Sequence, residues 1–362
     1  MQDYKVGIII GSGTGQEVAD IFENTIYFLI ENIGGPKVEI IRCPQVFHSY
    51  WSLKDNSVEE IRKIVKDEVR KLWEWIVSFY KRGGRVIFRT AINAETLYYL
   101  RKKGEALKVI PITLKDGRQI LIIRDEMQGF YAINRYTVDQ KQNRISLEEE
   151  FSYRSLEKIL NFAICLANKR LRKEYLFWLM YKHHLFANIL EKWFYSWCEK
   201  SSYFGNIFQP DTGLSHLFDY LTYPKLGKDL LLIVGNEIGD VIYELLMFYL
   251  KIGSKNTLYT ENIYLHPEIK ELHIFQTVHG SADDIVGTGK LNPIASIRVA
   301  AAVLSFITKN EVYLQKVENA TKEVIGKGIV SENLQNNIYT QEVLNCIYKE
   351  IKKLGENLHG RY

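Results

Sequence analysis

Cysteine is scarce: four residues in 362, at positions 43, 165, 198 and 346. They form no Cys-x-x-Cys pair, and the expectation is four free thiols in a reducing cytoplasm. Long apolar runs are also missing. Crossing a bilayer takes roughly 18–20 consecutive apolar residues. The longest runs, Leu230–Val234 and Val299–Ile307, suit a buried strand and a core helix. The opening Met-Gln-Asp-Tyr-Lys leads straight into Val6–Ile10, without the charged start, long apolar stretch and cleavage site of a secretion signal. A surplus of one charge is lacking as well. The net charge of +4 is too small to mark a nucleic-acid-binding surface by bulk charge. There are no repeats, low-complexity stretches or Ser/Pro linkers, so composition alone marks no domain boundary. What is present is 46% hydrophobic residues, enough to bury a sizeable core and exclude wholesale disorder.

The order of patterns is that of an α/β protein. Lys5–Ile10 reads as a β-branched strand ending in Gly11-Ser-Gly-Thr-Gly15. Val18, Ile21, Phe22, Ile26, Leu29 and Ile30 then recur at helix spacing. Val38–Ile41 and Val86–Phe88 read as strands on either side of a long amphipathic helix over Ser57–Tyr80. Alternation of this kind argues for a largely parallel sheet flanked by helices. Further on, Gln119–Arg124 and Leu230–Val234 read as strands. Leu156–Leu171, Leu185–Trp197, Ile238–Leu250 and most of the chain after Pro293 read as helix. Between them, Arg135–Glu150 is polar and alternating, a hairpin or an exposed arm.

Three stretches carry chemistry. The Gly11–Gly15 turn lets backbone approach a ligand closely, or simply makes a tight strand-to-helix turn. Asp240 and Glu244 lie four apart on one helix face after a buried strand. Two carboxylates so placed suit a hard divalent cation, or stand as solvated acids. The segment from Thr277 to Pro293 concentrates glycines, acids, a histidine and Asn-Pro before an apolar helix. Such a loop suits ligand contact better than packing. His183 and His184 are adjacent, so on a helix they point apart and share no metal.

These residues together resemble the isocitrate, isopropylmalate and homoisocitrate dehydrogenases, the metal-dependent β-decarboxylating hydroxyacid dehydrogenases. Ile10-Gly-Ser-Gly-Thr-Gly-Gln-Glu-Val18 is similar to that family's opening GDGIGPEV, and Leu100-Arg-Lys102 to its LRK. Arg124-Asp-Glu-Met-Gln-Gly-Phe-Tyr131 is similar to REN-x-EG-x-Y, and Tyr181-Lys-His-His184 falls at HK-x-N. Asn236–Glu244 is similar to N-x-x-GDI-x-SD, and His279–Pro293 is close to HGSAPDIAGKGIANP.

The resemblance implies a bilobed isopropylmalate-dehydrogenase-like α/β fold, not a Rossmann fold. It implies a large cofactor-side domain of residues 1–93 and 248–362. A small domain of 94–247 would carry the substrate and metal residues, with a dimer-forming arm around 132–150. It implies a homodimer with shared active sites and no nucleic-acid or membrane partner. The reaction would be oxidation of a malate-type 2-hydroxy acid by NAD, with Mg²⁺ or Mn²⁺, then loss of CO₂. Carried over by position, Arg101 and Arg124 hold substrate carboxylates, with Glu95 in the substrate segment. Lys182 from the partner, its pKa lowered by burial, helps remove the hydroxyl proton, and Tyr131 protonates the enol carbon. Asp240, Glu244 and Asp211 bind the metal, Asp219 being the reserve for the third place. The cofactor lies along His279, Gly280, Ser281, Ala282, Asp284 and Ile285, with Asn292 at the adenine. Asp284 hydrogen-bonds ribose hydroxyls and disfavours a 2′-phosphate, hence NAD over NADP.

The departures from the family matter. Ile110 occupies the place of a second substrate arginine. If Leu107–Pro111 is a strand, Lys108 shares Ile110's face and partly replaces that arginine as a point charge. His184 stands for an asparagine, Glu244 for an aspartate and Tyr243 for a small serine. These changes leave a second reading open: a non-catalytic, ligand-binding or regulatory subunit on the same fold.

Overall fold

The computed structural model describes residues 4–132, 135–139, 141–223, 227–250, 258–327 and 339–359, with the side chains of 135 and 354–359 outside the description. In chain order, β1 (Tyr4–Gly11), α1 (Gly15–Ile33), β2 (Val38–Phe47), the short α2 (Tyr50–Leu53), α3 (Val58–Lys81), β3 (Val86–Arg89) and α4 (Ala94–Lys103) come first. Next are β4 (Ala106–Thr113), β5 (Gln119–Asp125), β6 (Arg135–Asp139), β7 (Arg144–Glu148), α5 (Tyr153–Arg170) and β8 (Tyr175–Met180). They lead to α6 (Ala187–Ser201), β9 (Asn206–Phe208), α7 (Pro210–Thr222), β10 (Asp229–Val234) and α8 (Asn236–Leu250). Last are β11 (Tyr259–Tyr264), β12 (Leu272–Thr277), α9 (Ile294–Thr308), α10 (Val312–Gly326) and α11 (Thr340–His359). The architecture is α/β, with mostly parallel strands flanked by helices.

The chain divides into two compact units: Met1–Leu100, Gly253–Glu261 and Pro267–Tyr362 in the first, Arg101–Ile252 and Asn262–His266 in the second. Strand β11 runs from one unit into the other.

In the first unit the strand order is β2-β1-β3-β12-β11, with β1 parallel to β2 and β3, and β3 parallel to β12. Alternate residues Val6, Ile8 and Ile10 of β1 turn into one core with α1, α9, α10 and α11. Helix α9 is buried along nearly its whole length, as an apolar helix must be. Helix α3 packs Trp75 and Phe79 beside Gly7 of β1, where a Cβ would stand only 3.0 and 3.2 Å from those rings. Its start is set by a capping box. Ser57 accepts from the Glu60 N–H at 3.3 Å, and Glu60 accepts from the Ser57 N–H at 2.8 Å.

In the second unit the order is β4-β5-β10-β8-β9, antiparallel only between β4 and β5. One face of these strands, carrying Leu107, Val109, Leu121, Ile123, Leu231 and Ile233, packs against α5 and α6. On the opposite face, Gly239 of α8 meets Val234 and Gly213 of α7 meets Met180. Strand β10 is anchored at its start by Asp229, buried and bonded to Arg172 and to the Gln119 N–H at 2.9 Å. Strands β6 and β7 form a separate antiparallel hairpin, β7 exposed throughout.

Most predicted segments match observed elements, with two differences of note. The second strand extends past Ile41 to Phe47, because the parallel register with β1 continues across an irregularity near Ile8–Ile10. The histidines at 183 and 184 are not on a helix. They precede α6, at a single 3-10 turn over His184–Phe186. Residues 133, 134 and 140 of the predicted arm lie outside the described residues.

Gly11 closes β1 where a Cβ would come 1.8 Å from the Ala91 carbonyl oxygen. Both are main-chain positions, so neither side can yield cheaply. Gly11→Ala is expected to lower stability by roughly 1–3 kcal/mol, read by urea unfolding; an unchanged midpoint would show that the turn relaxes freely.

Candidate active site

Register assembles the second unit's site. Arg124 of β5 pairs with Val234 of β10, which pairs with Met180 of β8. The three parallel strands therefore end level. The residues that follow them, Asp125-Glu126, Gly235–Asp240 and Tyr181–His183, gather at one carboxyl edge, the usual ligand edge of α/β sheets.

Arg124 lies across the first turn of α8. Gly239 permits this: a Cβ there would sit 2.8 Å from Arg124 Cδ. The guanidinium donates from Nη1 to Asp240 Oδ1, and its Nε lies 3.0 Å from Glu126 Oε1. Arg101, near the end of α4, donates from Nη1 to Glu126 Oε2 at 3.1 Å. Both arginines and Glu126 are buried. Burial opposes the Glu126 charge, but Arg101, Arg124 and Lys108 outweigh it and hold the carboxyl below its usual range. Leu107–Pro111 is a strand, as expected, with Lys108 on the face of Ile110, and Lys108 lies directly opposite Arg124 in the antiparallel pair. Burial first, then Arg124 and Arg101, push its pKa down to about 7.

Tyr131 follows on a 3-10 turn over Phe130–Ala132 and hydrogen-bonds to Asp240. Burial, then the Asp240 charge, raise its pKa, so the phenol keeps its proton. On the other strand face Asp125 is fully buried, taking the Met127 N–H at 2.8 Å, Gln128 Nε2 at 3.0 Å and Tyr181 Oη at 2.8 Å. Burial lifts its pKa to about 6 against those bonds.

Lys182 is exposed at the end of β8, so the burial expected of it is not supplied by its own chain. Its charge reaches Glu149, whose pKa is raised by burial and by Glu237 and eased by Lys182. His183 is buried, its Nδ1 2.7 Å from the Tyr181 carbonyl oxygen, while His184 is exposed.

The three expected metal carboxylates do not converge within one chain. Asp240 is partly buried against Arg124, Glu244 one turn later is exposed, and Asp211 is exposed in the first turn of α7. Among the described residues no three His, Cys, Asp or Glu side chains stand close enough to hold a metal ion. Sequence reading missed Glu237, whose Oε2 is buried without a hydrogen-bond partner among the described residues, three positions before Asp240. That oxygen and the Asp240 carboxylate are donors of the kind a hard divalent cation takes, so the site's chemistry fits one. Glu126 was missed too. Its signal was present: it stands where the REN motif has asparagine.

In the first unit the Gly11–Gly15 turn and the His279–Asn292 loop hold each other. The Thr14 N–H and Oγ1 both reach the Ser281 carbonyl at 2.9 Å, and at Gly13, with φ +76°, a Cβ would lie 2.5 Å from that same oxygen. Asp283 accepts from Ser281 Oγ and from Ser49 Oγ, the latter at 3.1 Å. The Gly287 N–H donates to Glu17 in the first turn of α1 at 2.8 Å. This leaves Asp284 exposed, next to Ile285. His279 is pushed toward its neutral form by burial, and its Nε2 is a buried atom without a hydrogen-bond partner among the described residues. Gly280 and Ala282 carry the loop backbone, Ala282 in the left-handed region. Asn292 Oδ1 accepts from the Ile294 N–H at 3.1 Å at the start of α9. The exposed Asp284 carboxylate and the buried His279 Nε2, whose ring is fixed by Nδ1 at 3.0 Å from the Gly280 carbonyl oxygen, are groups that fit a nucleotide carrying hydroxyls. Glu95 lies in the first turn of α4, its N–H bonded to Asn93 Oδ1 at 2.8 Å.

The isocitrate/isopropylmalate dehydrogenase family model matches residues 96–347. The chain is 26% identical to the isocitrate/homoisocitrate dehydrogenase of Pyrococcus horikoshii, covering 98% of this chain and 94% of that protein. It is 21% identical to the probable tartrate dehydrogenase/decarboxylase of Bacillus subtilis, covering 98% and 99%. Among solved structures, the isocitrate dehydrogenase of Methylococcus capsulatus matches with a TM-score of 0.66 at 18% identity, over 96% of this chain and 99% of that one. That likeness shows the fold.

Lys108 makes a signed prediction about pH. Between about pH 7 and 10.5 the unfolded chain holds this proton and the folded chain does not, so stability rises with pH across that window. Below about pH 7 the full cost of a buried charge is present. Lys108→Met is expected to raise stability at neutral pH and to remove a slope approaching ~1.4 kcal/mol per pH unit. Chemical denaturation from pH 7 to 9.5 checks this; an unaltered slope would place the Lys108 amine in water.

Proposed function

The chain belongs to the isocitrate/isopropylmalate dehydrogenase family, and on that premise we propose that it catalyses NAD-dependent oxidative decarboxylation of a malate-type 2-hydroxy acid. The observation that carries the reading is the buried Arg101–Arg124 pair at the carboxyl edge, with Tyr131 and Asp240 beside it. The substrate is a 3-substituted malate. Relatives named as tartrate dehydrogenase/decarboxylase support a small malate-like acid.

Arg101 and Arg124 orient substrate carboxylates through their planar donors, and Lys108 adds a point charge near and below about pH 7. Tyr131, with its pKa raised, holds a proton to deliver to the carbon left when CO₂ departs. Lys182 accepts the hydroxyl proton. Asp240, Glu244 and Glu237 are this chain's carboxylates for a divalent cation, with Asp211 contributed by a partner subunit. A divalent cation held there would supply Lewis-acid polarisation of substrate oxygens, and NAD would supply the hydride acceptor. On the first unit, Asp284 receives ribose hydroxyls, its charge excluding a 2′-phosphate. His279, Gly280, Ser281, Ala282 and Ile285 line the cofactor, and Asn292 meets the adenine. The first unit, Met1–Leu100, Gly253–Glu261 and Pro267–Tyr362, is the cofactor side, and the second, Arg101–Ile252 with Asn262–His266, the substrate side, a division a few residues away from the expected 1–93 and 248–362 against 94–247.

The working form is a homodimer in the cytoplasm. Val241, Leu245 and Phe248 leave an apolar stripe exposed on α8, Phe248 at 86%. Burying it against a second copy would give that homodimer an apolar interface. The absence of an arginine at Ile110 favours a second reading, a ligand-binding subunit that does not turn over.

NADH formation at 340 nm, with Mn²⁺ and a panel of malate, tartrate, 3-methylmalate, isopropylmalate, isocitrate and homoisocitrate, separates the two. Lys182→Met is expected to abolish turnover. Tyr131→Phe should lower kcat roughly 10²–10⁴-fold. Silence across the panel together with no NADH binding would leave the ligand-binding subunit. Asp284→Ser should narrow the preference for NAD over NADP; a preference unmoved would remove Asp284 from the cofactor site.

A further inference from the structure

The arginine clamp is already holding a carboxylate. Glu126 Oε2 accepts from Arg101 Nη1 at 3.1 Å, and Glu126 Oε1 lies 3.0 Å from Arg124 Nε. All three side chains are at least 95% buried, so these charges meet with little water between them. Arg124 also gives Nη1 to Asp240. Counted by formal charge, Arg101, Arg124 and Lys108 face Glu126 and Asp240. When all five are ionised, one positive charge is unmatched.

The adjoining wall is apolar. Lys108, Ile110, Ile122 and Arg124 lie on one face of the β4–β5 pair, since residues two apart on a strand share a face and Lys108 opposes Arg124. Ile110 is buried there and offers a substrate no donor. An extra carboxylate on a substrate would meet Glu126 rather than a vacant guanidinium edge, and like charges in a dry site repel strongly.

We propose that Glu126 is a specificity-determining residue: as a built-in carboxylate in the Arg101–Arg124 clamp, it restricts the substrate to a malate-type acid whose third substituent is uncharged. This rests on the clamp being the substrate site of the proposed reaction. It deepens that reading by choosing between substituents. An alkyl, hydroxyl or hydrogen substituent is accepted against the Ile110 wall. A carboxymethyl substituent, as in isocitrate, is rejected by Glu126.

The test compares two acids with the same malate core, 3-isopropylmalate and isocitrate. Their affinities for the intact protein are measured by calorimetry with Mg²⁺ and without NAD, so that binding is read and not turnover. The wild-type protein is expected to bind 3-isopropylmalate more tightly. Glu126→Gln removes the internal negative charge, and isocitrate should gain roughly tenfold or more relative to 3-isopropylmalate. Glu126→Asp keeps the charge but draws it back by one methylene, and should move the ratio the same way by less. It serves where the Gln variant fails to fold. A merely structural role lowers both affinities together and leaves their ratio alone. A ratio unchanged within about twofold in a folded variant that still binds 3-isopropylmalate overturns this proposal and leaves the reaction class standing. No binding of either acid to any of the proteins overturns the substrate site itself, and the proposal with it.

Discussion

A guanidinium cannot shed its proton, so a buried arginine must be met by acids or by water. Arg124 is buried at the end of β5, and the surrounding structure answers it from several directions. Asp240 comes from α8 and Glu126 from the residue but one after it in the chain. The Tyr131 ring stands 5.7 Å from the guanidinium carbon. Gly239 gives up its side chain so that the arginine can lie against the helix. Lys108 tolerates a like charge opposite, and burial first, then that charge, lowers its basicity. Each of these is a consequence of putting one permanent charge at the end of a strand inside the protein.

The first unit solves a different problem, fixing a loop that contains little apolar side chain. It does so with main-chain and short side-chain bonds. Two of them converge on the Ser281 carbonyl from Thr14, and Asp283 spends its carboxylate on Ser281 and Ser49. Asp283 and Asp284 thus diverge although adjacent: one holds the loop, the other faces outward. The glycine turn after β1 holds the loop through its Thr14 amide, bonded to the Ser281 carbonyl.

Much of this was legible in the residues. Strand and helix periods located the alternating elements, and strand periodicity alone put Lys108 on the face of the missing arginine. The ordered motifs carried the family, because a His-Gly-Ser loop following an Asn-x-x-Gly-Asp turn is a long, specific match. What was not legible depended on convergence in space. Glu126 stood in view at a motif position, but its partners come from the end of α4 and the facing strand. Helix spacing correctly aligned Asp240 with Glu244, yet did not reveal that Arg124 partly buries one and leaves the other in water. The paired histidines were read with a helical geometry that begins only after them; one is instead tied to the Tyr181 carbonyl.

The division of the chain between the two units has a consequence for synthesis. The second unit is almost one continuous stretch, Arg101–Ile252, completed by Asn262–His266. The first is split, and its core joins β1 and α1 to residues of α9, α10 and α11 from the far end of the chain. As the polypeptide leaves the ribosome from its amino end, β1 must wait for helices made much later. The part synthesised in the middle has nearly all its own residues in hand much sooner. The nascent chain therefore carries β1 and α1 without the α9, α10 and α11 side of their core while nearly all of the second unit is already made.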